Sequence, residues 1–225
     1  AQEVALAAAE RAGDVAGQAN GRHYLGFACI RLRRFPEARR HLRQALTRFR
    51  QLGDQLGEAH AHSTFAIACR LEGQHAMALG HGREALQLYR EAGYRRGQAN
   101  ALNAIGWYHA HLGNHGEALA SCQEALSLNQ QSGSEADEAA TWDSLGYAHH
   151  LLGHHTEAIA CYQRAIDMFG RLGHQHFAAG SMDGLGYAQD AAGDQEAARR
   201  AWQQALTILD ELRHPQAEEI RARLA

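Results

Sequence analysis

The run ATWDSLGYAHHLLGHHTEAIACYQRA, residues 140–165, decides the fold. It carries Leu145-Gly146 near its start, Gly153 in its middle, and Ala158, Tyr162 and Ala165 toward its end. The layout returns along the chain: Leu25-Gly26, Phe65-Ala66, Ile105-Gly106, Leu145-Gly146 and Leu185-Gly186 stand 40 residues apart. A period of about 20–50 residues marks a repeat array. In such an array each unit buries its apolar face against its neighbours, and a long surface remains for binding.

Taking the first residue of each pair as position 7, position 8 is always small. Position 20 is always alanine (Ala38, Ala78, Ala118, Ala158, Ala198), and so is position 27 (Ala45, Ala85, Ala125, Ala165, Ala205). Small residues at fixed places let two helices approach closely. Gly73, Gly113, Gly153 and Gly193 punctuate the middle of the units, with Arg33 at the matching place in the first, whose turn is therefore expected to differ. Gly13, Gly53, Gly93, Gly133 and Gly173 separate the units. Asn114 with Glu117, and Ser134 with Asp137, read as helix N-terminal caps.

The composition favours helix, with two prolines in 225 residues. No run of about 18 apolar residues is present, so no membrane partner is expected; the start AQEVALAAAERA lacks the pattern of a secretory signal. Cys29, Cys69, Cys122 and Cys161 show no metal-ligand spacing and read as buried thiols of a reducing, cytoplasmic compartment. All 22 basic residues are arginine, which excludes a phosphate-loop lysine and a lysine Schiff base. Within residues 1–50, ten arginines face four acidic residues, whereas the remainder is acidic. That asymmetry points to a polar partner or a neighbouring domain at the N-terminal end.

The small-residue pattern resembles the tetratricopeptide repeat: Trp142, Leu145-Gly146, Ala158, Tyr162 and Ala165 match its motif. The resemblance implies an all-α fold, a right-handed α-solenoid of antiparallel helix pairs. The family's usual unit is about 34 residues, so the 40-residue period implies longer helices. On this reading, residues 1–12 are the second helix of a truncated repeat. Five repeats follow at 14–53, 54–93, 94–133, 134–173 and 174–212, and residues 214–225 form a C-terminal capping helix. The segment reads as an excised part of a larger protein. The runs ALNAIGWYHAHLGNHGEAL (101–119) and ELRHPQAEEIRARLA (211–225), with 140–165, also resemble the C-terminal repeats of AfsR/SARP-type actinobacterial transcriptional regulators. This implies a sensor or partner-binding module behind an upstream regulatory domain, often in control of antibiotic biosynthesis. A stand-alone scaffold that assembles other proteins is the alternative.

The tetratricopeptide resemblance also implies that the first helix of each unit lines a concave groove. Position 9 places Phe27, Ile67, Trp107, Tyr147 and Tyr187 there. This ladder offers large amphipathic contact area to a peptide, protein or small-molecule effector; packing against the neighbouring first helix is the competing role. Positions 2 and 5 add Asn20, His60, Asn100, Asn103, Asp143 and Asp183, and His150 shares the groove face. Gly80 and Gly82, with no bulky residue at position 24 of the second unit, predict a soft joint there. The sixteen histidines raise a metal site or a pH switch as readings, but no ligand pair has metal spacing, and no metal or cofactor is expected. The cluster Arg31, Arg33, Arg34, Arg39, Arg40 and Arg43 lacks the interleaved aromatics of a nucleic-acid surface. No nucleophile elbow, phosphate loop or metal pair is present, so the chain is expected not to be an enzyme.

Overall fold

Gly53 shows how the chain turns between helices. It ends a helix with left-handed φ 67°, which costs glycine nothing sterically. The amide of Asp54 then donates to the Phe49 carbonyl at 2.9 Å, and the Asp54 carboxylate accepts from the amide of Gly57 at 2.8 Å, capping the next helix. The computed structural model describes residues 2–225, and the other glycines between helices also take positive φ. Arg33 adopts φ 56°, and Arg34 donates its amide to the Cys29 carbonyl at 2.8 Å. The first turn therefore does not differ, contrary to the sequence expectation. The hydrogen-bonded turn imposes its geometry on arginine at a cost on the order of 1 kcal/mol.

The chain divides into two compact units, Ala1–Leu112 and Gly113–Ala225. The first holds α1 (Gln2–Ala12), α2 (Val15–Arg31), α3 (Phe35–Leu52), α4 (Gln55–Leu71), α5 (His75–Glu91) and α6 (Arg95–His111). The second holds α7 (His115–Ser132), α8 (Glu135–Leu151), α9 (His155–Arg171), α10 (Gln175–Ala191), α11 (Gln195–Glu211) and α12 (Gln216–Leu224). Within each unit every helix packs on the next in sequence, and α2 also meets α4, as α8 meets α10. Short connections force antiparallel neighbours, and the result is an all-α solenoid of helix pairs. Asp14, Asp54 and Asp194 cap helices with their side chains. Asn114 and Ser134 occupy cap positions without a side-chain cap bond. The Ser134 hydroxyl donates instead to Asp137 at 2.7 Å, which diverts it from the backbone.

The alanines of positions 20 and 27 are fully buried in both units. Position 8 meets position 24 across the helix pair. A methyl on Gly26 would lie 2.7 Å from Leu42, and one on Gly146 would lie 2.9 Å from the Tyr162 ring. A methyl on Gly186 would run into the Trp202 indole. In the α4–α5 pair the bulk is reversed, with Ala66 at position 8 and Gly82 at position 24. At the expected soft joint, α5 runs unbroken through Gly80 and Gly82, and equal hydrogen-exchange protection of α5 and α9 would rule the joint out. Gly82 is buried, and a methyl on it would stand 3.1 Å from Ile105 and 3.3 Å from Tyr108. Its smallness makes room for α6.

All four cysteines are buried thiols outside any disulfide. Burial pushes Cys122 up to about 12 and Cys161 up to about 11, which keeps both protonated and poorly nucleophilic.

Candidate partner-binding faces

The aromatic ladder divides into exposed and packed members. Phe27 and Tyr187 are each 43% exposed. Trp107 is half-buried, stacked on His111 with ring centres 3.5 Å apart and met edge-on by His75 at 5.4 Å. The Arg70 guanidinium lies 5.2 Å from the same ring. Tyr147 is half-buried against the core cluster of Ala158, Tyr162 and Leu185. The ladder thus has two exposed rings and two that pack within the fold.

In the second unit, the position-5 carboxylates are engaged. Asp143 accepts from the Ser181 hydroxyl at 2.5 Å, and burial raises its pKa against that bond. Tyr162 lies near both Asp143 and Asp183; burial first, then these carboxylates, drive its pKa far up. Asp183 pairs with Arg223 of α12 at 2.5 Å, and the Arg223 guanidinium also lies 4.3 Å from the Tyr187 ring centre and 5.1 Å from that of Trp202. A carboxylate and two aromatic faces thus hold one planar cation, as ion-pair and cation–π energetics favour. Sequence reasoning missed Arg223; it stands 40 residues after Asp183, one repeat on, and that spacing is its only signal. His150 is half-buried, with no hydrogen-bond partner for its buried Nδ1, and its ring lies 6.0 Å from His155.

In the first unit, His60 and Asn100 fall on the wall of one cavity of about 240 Å³ between α4, α5 and α6. His60 Nδ1 lies 2.8 Å from the Tyr89 hydroxyl, which in turn lies 3.2 Å from the Ser63 hydroxyl. Asn100 is exposed at the rim, and Asn103 is half-buried one turn further along α6. Tyr89, Ser63 and Tyr94 escaped the sequence reading. The signal for the cavity was the missing bulk at Gly82.

Histidines pair rather than cluster. His62 Nδ1 meets His81 Nδ1 at 2.9 Å. Burial lowers His62, and burial followed by its neighbours His62 and Arg43 brings His81 down to about 4. Among the described residues, no group of three or more His, Cys, Asp or Glu side chains is placed to hold a metal ion. Likewise, no helix is long and apolar enough to cross a membrane. The N-terminal arginines are partly neutralised: Arg34 pairs with Glu37, Arg39 with Glu72 and Arg22 with Glu10.

Stacked antiparallel helix pairs with alanine seams define a class, the solenoid repeat proteins that bind through their helix faces. The tetratricopeptide repeat profile matches residues 17–91, 66–131, 97–171 and 137–211, and the chain belongs to that family. It is a family of protein–protein interaction scaffolds, and no enzymatic family is indicated. Among solved structures, BtubC from P. vanneervenii is 22% identical, with 96% of this chain and 94% of that one covered at a TM-score of 0.77. A Rap protein complexed with Competence and Sporulation Factor is 18% identical, with 87% and 55% covered at 0.76. A signal transduction ATPase with numerous domains from Pyrococcus horikoshii, described as carrying a tetratricopeptide repeat sensor, is 18% identical, with 94% and 33% covered at 0.78. The chain thus spans about half of the Rap protein and a third of the ATPase. At these identities the likeness speaks for the fold. No curated protein sequence matches.

Proposed function

We propose that this chain is the non-enzymatic sensor segment of a larger cytoplasmic regulator of transcription, of the kind that governs antibiotic biosynthesis in actinobacteria. Its first helices take a peptide, protein or small effector, and an upstream domain of the same protein reads the result. The five repeats and their flanking helices act as one binding module. The observation that carries the reading is the mixed polar and aromatic character of the first-helix faces. In the first unit exposed Phe27 and the amides of Asn100 and Asn103, and in the second exposed Tyr187, are suited to contact a polar ligand, while Asp143 and Asp183 are held by Ser181 and Arg223 beside that face. The resemblance of residues 101–119, 140–165 and 211–225 to AfsR/SARP-type regulators supports it. So does the likeness to the repeat sensor of the Pyrococcus ATPase. The Rap structure shows a relative by fold complexed with a named factor.

The stand-alone scaffold is the second reading, favoured by the near-complete mutual coverage with BtubC. Crosslinking and transcript profiling in the native host separate the two. Phe27→Ala with Tyr187→Ala should cut captured partner at least ~10-fold, a loss of about 1.4 kcal/mol. Changed target transcripts in the same strain mark the regulator; lost partners with unchanged transcripts mark the scaffold. Capture and transcripts both equal to wild type would overturn the assignment of these faces.

A further inference from the structure

The cavity beside Gly82 is built differently from the rest of the first unit. Its volume of about 240 Å³ falls below the ~300–1,000 Å³ of pockets that bury a whole drug-sized ligand. It suits one side chain or one small ring. Ala66, Ile67, Ala104 and Tyr108 supply apolar wall, and Gly82 contributes backbone with no side chain. On the other side stand three rings: His60 meets Tyr89 edge-on at 5.4 Å and Tyr94 at 5.9 Å, and Tyr89 and Tyr94 are 5.5 Å apart. Rings disposed in this way favour an aromatic guest, through edge and face contacts.

The polar groups narrow the guest further. No Asp, Glu, Lys or Arg lines the cavity, so a charged group inside it would lose water without gaining a counter-ion. Burial lowers the pKa of His60, which keeps its ring neutral at pH 7. The Tyr89 hydroxyl is already engaged between His60 and Ser63. The remaining capacity of the Ser63 hydroxyl and the Asn100 amide at the rim can meet one hydroxyl of a guest.

We propose that the α4–α5–α6 cavity of the first unit is a binding pocket for an uncharged phenolic ring, presented by a tyrosine side chain or by a free phenol. The pocket gives the sensor reading above a ligand class, and in that sense rests on it.

Titration of the isotope-labelled full chain with N-acetyl-tyrosinamide and with 4-methylphenol, followed by NMR, tests this. Amide shifts are expected at Ser63, Gly97 and Ala104, with Kd on the order of 1 mM for a ligand of this size. Ala104→Leu, which fills the cavity from a half-exposed site, should weaken binding at least ~10-fold. Binding of tyrosinamide alone assigns the pocket to a peptide side chain, and equal binding of 4-methylphenol assigns it to a free ring; either result supports the proposal. No shift from either probe at about 10 mM overturns it, as do shifts that persist unchanged in Ala104→Leu with a wild-type thermal midpoint. Should Ala104→Leu fail to fold, Ser63→Ala combined with Asn100→Ala reads the same site, and unchanged affinity there also overturns it. The probes report on the pocket itself. Probe failure with partner capture intact removes the pocket and leaves the sensor reading, whereas probe binding without partner capture does the reverse.

Discussion

The α8–α9 and α4–α5 pairs obey one pattern and spend it differently. In α8–α9 the large residue sits on the second helix, where Tyr162 fills the seam over Gly146 and the backbone of Gly184. In α4–α5 the second helix carries Gly82, the first carries Ala66, and the vacated space is shared between Tyr108 and an open cavity. A seam closed from within its own pair is a structural element. A seam left open to the next helix becomes a place where something else can enter.

The largest expected effect tests the closed seam. Tyr162→Ala should cost about 3–4 kcal/mol in urea unfolding of the second unit, since it removes a ring that three helices enclose. A loss under about 1 kcal/mol would break the contrast. Gly146→Ala comes next, at about 2 kcal/mol, because its methyl has no room against Tyr162.

Acid should then act on the first unit. His81 has a folded pKa of about 4 against 6.5 unfolded, so the unfolded chain binds its proton first as pH falls. The stability it contributes is complete above 6.5 and is lost progressively between 6.5 and about 4. With His62 lowered in the same way, the first unit should lose about 1–2 kcal/mol at pH 5 after allowance for partial exposure. Residue-resolved hydrogen exchange at pH 7 and pH 5 measures this, and His81→Gln should flatten the dependence.

Two smaller effects sharpen the comparison. Arg33→Gly should raise stability by up to about 1 kcal/mol by relieving its left-handed φ, read as a small rise in thermal midpoint. Gly82→Ala should stay within about 1 kcal/mol of wild type, its better helix propensity offsetting contacts that Ile105 and Tyr108 must yield to accommodate. A cost as large as that of Gly146→Ala would show that the two seams are equally tight.

Much of the fold was legible in spacing. The 40-residue interval, the alanines of positions 20 and 27 and the glycine turns mapped onto helix pairs because each is a backbone or close-packing requirement that few residues satisfy. The turn at Arg33 was misjudged because local hydrogen bonding overrode a conformational preference. The capping roles of Asn114 and Ser134 were misjudged because residue type at a cap does not ensure the side-chain bond. The candidate site was legible only in part. Spacing placed Trp107 and Tyr187 in one register, but the partners of each ring come from other helices: Arg70 and His75 for the one, Arg223 and Trp202 for the other.

By itself, then, the sequence determined that the chain is a tetratricopeptide array and which positions face a helix seam, since small residues recur wherever backbones must approach. Only the tertiary structure decided which of the equivalent first-helix residues are open to a partner. Exposure and cavity depend on the bulk supplied by residues far along the chain, as Gly82, Tyr108 and Tyr162 show.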